Sequence, residues 1–153
     1  MTVASDQPDR DPRRRLRLGQ ILVEARLLRD DQVQDALRMA HASGRFLAEI
    51  LVREGMVTEA QIAAALMERN HLPYIEPSRY DIADELLNTF DPAMMRRFQF
   101  VPMDSLGLVI VIASAGTLSP EVVEQIGSQT GCTVKLFQTK ASEIDAVLQA
   151  HHL

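Results

Sequence analysis

The sequence predicts an α+β fold: a helical N-terminal half of two repeated helix pairs, packed with a small α/β half of three to four strands. Three observations predict it. Leu18-Gly19-Gln20-Ile21-Leu22-Val23 returns 29 residues later as Leu47-Ala48-Glu49-Ile50-Leu51-Val52, an internal repeat. Beyond Phe98 the apolar period changes from that of a helix to that of a strand. The 153 residues are 46% hydrophobic and 24% charged, a globular composition long enough to bury a core without disulfide or metal staples.

Residues 1–14 read as a disordered tail, polar and aperiodic, with Pro8 and Pro12. Arg10, Arg13, Arg14, Arg15 and Arg17 crowd its end. They suit either a solvated helix entry or contact with an anionic partner. Residues 15–72 form the helical tandem repeat. Its first helices are expected at 17–25 and 46–54, its second at 31–42 and 59–70. Leu27-Leu28 match Met56-Val57, Gln32-Val33 match Gln61-Ile62, and Ala36-Leu37 match Ala65-Leu66. Gly55 suits a left-handed cap, and Thr58 with Gln61 a capping box. Gly44 and Pro73 are expected to close the second helices.

Residues 73–90 read as a linker, held extended by Pro73 and Pro77, with a short helix from Asp84 to Asn88. Residues 91–153 form the α/β half. Asp91-Pro92 caps and opens a turn through Arg96. Strands are expected at 98–103 and 108–113, joined by a turn at 104–107. Ser119-Pro120 starts a helix that Gly131 stops, a strand covers 132–137, and a last helix covers 141–151. The strand–helix–strand from 108 to 137 should be a right-handed parallel crossover. Strand 108–113 is apolar on both faces, so it should be central.

The net charge is −5, and fourteen of the sixteen basic residues are arginine. Residues 1–80 balance twelve basic against twelve acidic side chains; the excess acid lies in the second half. That argues against DNA or RNA binding. No apolar run approaches the length of a membrane span, and no signal peptide is visible, so a cytoplasmic protein without direct membrane insertion is expected. Cys132 is alone, and no cysteine–histidine cluster has zinc-ligand spacing. No glycine precedes a lysine, which removes a phosphate-binding loop of the ATPase kind. No G-x-S-x-G or H-E-x-x-H occurs. His41 and His71 suit helix C-termini, His151-His152 an exposed fraying end, and the methionines core filling. Nothing suggests catalysis, a catalytic residue, a metal site or a required cofactor.

The repeat, followed by an α/β half with a Val-Pro hairpin, resembles the N-terminal domain of type II secretion and type IV pilus assembly ATPases, the GspE N-terminal or MshEN family. The resemblance covers about residues 15–150. The family pattern R-L-G-x-x-L-V-x-x-G-L-I-x-x-x-x-L-x-x-x-L-x-x-Q occurs twice in tandem. Arg17-Leu18-Gly19, Leu22-Val23, Leu27-Leu28, Val33 and Leu37 match the first copy. Leu47, Leu51-Val52, Gly55, Met56-Val57, Ile62 and Leu66 match the second. Arg26 and Ala40 depart from Gly and Gln in copy one; Phe46, Ala48 and Arg69 depart from Arg, Gly and Gln in copy two.

The resemblance implies a domain without a motor, in one of two roles. The first is docking on a protein of a secretion or pilus machine, such as the inner-membrane platform protein, for which the arginine cluster offers Arg13, Arg14 and Arg15 as a contact. The second is binding cyclic di-GMP, a two-fold symmetric ligand suited to two half-sites. Arg17, Leu18, Gly19, Leu22, Phe46, Leu47, Leu51 and Gly55 would then form the site, and the departures would make it weak.

Overall fold

The computed structural model describes residues 12–153, with side chains from Leu18 onward. The expected tail up to Asp11, Arg10 included, and the side chains of Arg13, Arg14, Arg15 and Arg17 lie outside the described residues. The chain folds as two compact units that divide between Ala65 and Leu66.

The first unit is helical: α1 (Pro12–Glu24), α2 (Asp30–Ser43), α3 (Leu47–Arg53) and the start of α4 (Glu59–Asn70). The repeat is visible in what it buries. Leu22 and Leu51 are fully buried, as are the pairs Leu28 and Val57, Val33 and Ile62, and Ala36 and Ala65 in all but a few per cent of their surface. Both copies turn between their helices in the same way. Leu27 N–H donates to Leu22 O at 3.0 Å and Arg26 N–H to Val23 O at 2.9 Å; Met56 N–H donates to Leu51 O at 3.0 Å and Gly55 N–H to Val52 O at 3.1 Å. This is the paired Schellman pattern, and it needs a left-handed residue after the helix. Gly55 supplies it at φ 69°, Arg26 at φ 60°. The next helices also start alike: Gln32 and Gln61 each turn back to accept the N–H of Arg29 and Thr58, both at 2.9 Å. Only Thr58 adds a side-chain cap, accepting from Gln61 N–H at 3.1 Å.

Helix α4 ends earlier than Pro73 alone would place it. His71 takes the left-handed position at φ 54°, and Leu72 N–H returns to Met67 O.

The second unit is a three-stranded sheet with helices. β1 (Phe100–Leu106) and β2 (Val109–Ser114) are antiparallel; β3 (Thr133–Gln138) runs parallel to β2, so β2 is central. Helix α7 (Pro120–Thr130) makes the crossover, capped by Ser119. α8 (Ala141–Ala150) follows β3. The first strand starts later and runs longer than the sequence suggested. Helix α6 (Pro92–Phe98) continues to Phe98, Gln99 then turns left-handed, and a bulge between Pro102 and Asp104 lets pairing extend to Leu106.

Residues 73–90, expected as a connecting segment, are folded into this unit. Gln138 N–H donates to Pro73 O and Ile75 N–H to Gln138 O, at 2.8 and 2.9 Å. A 3₁₀ turn (Pro77–Arg79) and α5 (Asp84–Leu87) follow. Ile82, Leu87 and Phe90 enter the same core as Met95, Phe100, Val101, Ile112, Ile126 and Ile144. Phe90 meets the edge of Phe100 at 5.3 Å between ring centres. Apolar residues spaced without a regular period are hard to read as core, yet these three are almost fully buried.

Candidate functional site

The residues singled out from the repeat separate into two layers. Leu22, Leu47 and Leu51 are 2% exposed or less. They lie beneath the surface of α1 and α3. Leu18 and Phe46 are half-buried, and Gly55 is exposed. Phe46 sits at the N-cap of α3 in extended conformation and gives that helix no side-chain cap. The backbones of Arg13, Arg14, Arg15 and Arg17 lie on α1.

Gly19 has a packing role. A Cβ built on it would stand 2.5 Å from Val33 Cγ1, so its bare backbone is where α1 and α2 press together. In copy two that position is Ala48.

Arg26 is the residue whose importance the sequence understated. It was legible as a departure from glycine at a helix end, and the fold holds it left-handed with its side chain exposed. Three residues on, the Arg29 Nε and Nη2 donate to the two oxygens of Asp31 at 3.0 and 3.3 Å. Hydrogen bonding to Arg29 holds the Asp31 carboxyl below its usual range and raises the Arg29 guanidinium in turn. Both are exposed, so the pair shapes the surface more than it stabilises the fold.

In the second unit, α8 is fastened at both ends. Glu143 accepts from Ser78 N–H and Oγ–H, both at 2.9 Å. His151 Nδ1 lies 2.6 Å from Asp84 Oδ1. The expected exposed end at His151 is therefore corrected: its side chain is three-quarters covered and has a carboxylate partner. Cys132 is half-buried, with Sγ 3.5 Å from Thr130 O. Among the described residues no group of three His, Cys, Asp or Glu side chains could hold a metal ion, and no helix is long and apolar enough to cross a membrane.

The family model of the MshEN domain matches residues 70–152. The type IV pilus assembly ATPase PilB of Thermus thermophilus is 29% identical over 138 residues, covering 89% of this chain and 16% of that protein. The PilB of Myxococcus xanthus is 18% identical over 136 residues, covering 89% and 24%. The chain thus spans less than a quarter of the length of these curated relatives. Among solved structures, MshE with cdg superposes at a TM-score of 0.65, with 21% identity, 88% of this chain and 97% of that one covered. The N-terminal domain of XpsE superposes at 0.66, with 21% identity and 97% of both chains covered. Likeness at this level establishes a shared fold.

Proposed function

The chain belongs to the MshEN domain family, and on that premise we propose that it is a non-catalytic docking and regulatory module of a type II secretion or type IV pilus assembly system. It works in the cytoplasm, binds a protein of the machinery such as the inner-membrane platform protein, and needs no cofactor. Its PilB relatives support the setting, since nearly the whole chain matches a small part of each.

The observation that carries docking over small-molecule binding is the divergence of the two copies at their surface. Arg26 stands at φ 60° where Gly55 stands at φ 69°. One copy offers an exposed arginine and the other bare backbone, while Phe46 takes the place equivalent to Arg17. Two unlike half-sites fit a two-fold symmetric dinucleotide poorly and a protein surface well. Arg13, Arg14 and Arg15 would steer an acidic partner, an attraction that salt weakens. The test is a pull-down from lysate of the source organism at low and high salt, with the wild type and with Arg13, Arg14 and Arg15 changed to Ser. A secretion or pilus component retained by wild type and lost by the variant is expected. Equal retention removes the arginines from the interface, and recovery of no such component contradicts docking.

A second reading is supported by the same fold in MshE with cdg. In it cyclic di-GMP binds across the repeat, on Arg17, Leu18, Gly19, Phe46 and Gly55, with Leu22, Leu47 and Leu51 as the floor.

A further inference from the structure

The main-chain bonds of β3 leave one edge of the sheet half used. Thr133 N–H donates to Leu108 O and Thr139 N–H to Ser114 O, so the odd-numbered residues of β3 turn their polar groups toward β2. Gln138 turns the other way: it donates to Pro73 O and accepts from Ile75 N–H. By the same alternation, Val134 and Leu136 direct their N–H and C=O outward. Among the described residues no hydrogen bond reaches these groups, and Tyr74 opposite Gln138 is the last pairing on this edge. The segment Pro73–Ile75 shows that the edge can take an extended chain in parallel.

An open edge accepts either a copy of itself or a foreign strand. The charges decide between them. The chain has two lysines, Lys135 in the middle of β3 and Lys140 just after it. Lys135 is exposed, and the salt bridges among the described residues involve neither lysine. A second copy paired on this short edge would bring two Lys135 ammonium groups onto adjacent strands, which is unfavourable. A strand with carboxylates would neutralise them instead. We propose that the outer edge of β3 is a strand-addition site for an extended acidic segment of a partner protein, held by the main chain of Val134 and Leu136 and selected by Lys135. The proposal rests on the docking reading for the existence of a partner, and names the chemistry that would recognise it.

The test uses the whole chain, amide hydrogen exchange, and eight-residue peptides of alternating valine and glutamate or valine and lysine. The valine–glutamate peptide should slow exchange at Val134 and Leu136 by about tenfold. Its N-methylated form, which cannot pair, should have no effect. At low salt it should bind about fivefold more tightly than the valine–lysine peptide, and Lys135→Glu should reverse that order. No protection at these two amides at saturating peptide, or equal binding of both peptides, would overturn the proposal. So would protection that grows with protein concentration in the absence of peptide, because a second copy would then hold the edge. None of these results bears on the pull-down through the α1 arginines, so docking itself would stand.

Discussion

The two copies of the helical repeat are the same beneath and different on top. Leu22 and Leu51 are both fully buried, and the turns that follow make the same hydrogen bonds. In sequence Arg17 corresponds to Phe46, Gly19 to Ala48 and Arg26 to Gly55, and of these Arg26 and Gly55 are exposed. The difference teaches that packing holds the backbone of a repeat constant while its surface changes freely. Arg26 is the sharpest case, because it keeps a conformation that suits glycine.

The equivalence of the buried layer is the easiest part to break. Leu22→Ala and Leu51→Ala should each cost about 2–5 kcal/mol, since both leave a cavity in a closed core. Urea denaturation should show similar losses for the two. A loss in one copy alone would mean that the second copy is not held by the same packing.

Gly19 and Ala48 sharpen the comparison at the next level. Gly19→Ala should destabilise by about 1–3 kcal/mol, because the new methyl runs into Val33 Cγ1. Adding Val33→Ala should recover part of that loss, seen as coupling in a double-mutant cycle. Ala48→Gly should cost only the backbone entropy of glycine in a helix, about 0.5–1 kcal/mol.

At the turns the signs should be opposite. Gly55→Ala should cost about 1 kcal/mol by placing a Cβ in the left-handed region. Arg26→Gly should stabilise by less than about 1 kcal/mol, because glycine relieves the turn but loosens the unfolded chain. Thermal melts of the pair would check both. A loss on Arg26→Gly would show that the arginine side chain supports the turn.

The smallest effect concerns acid. Copy one has Asp31 beside Arg29, where copy two has Ala60. The Asp31 carboxyl is held below its ordinary value chiefly by the hydrogen bond from Arg29. The unfolded chain therefore binds that proton more readily. The contribution is fully present above the unfolded carboxylate value and is lost as pH falls through the folded one. Asp31→Asn should slightly flatten the acid limb of stability at low salt and leave it unchanged at high salt.

Much of the fold was legible because its residues repeat or alternate. The four helices of the repeat follow from a 29-residue echo with periodic apolar positions, and β2 follows from an apolar run with no polar face. The packed role of 73–90 was not legible, because Ile82 and Phe90 enter the core from irregular segments and Leu87 from a one-turn helix. His151 was read as an exposed end because its partner Asp84 lies 67 residues away. Of the candidate site, the sequence named positions but could not rank them by depth. The burial of Leu22, Leu47 and Leu51 and the contact of Gly19 with Val33 depend on how helices cross.

We propose that the exposed positions of the repeat, Arg26 against Gly55, favour docking over a symmetric nucleotide site. Calorimetric titration with cyclic di-GMP tests it most directly, on the wild-type chain and on the double variant Arg26→Gly, Phe46→Arg. The wild type should show no binding, or a Kd weaker than about 10 μM, and the variant should gain affinity as its half-sites become alike. A wild-type Kd below about 1 μM, weakened by Arg17→Ala, would contradict the account and make this chain a nucleotide receptor.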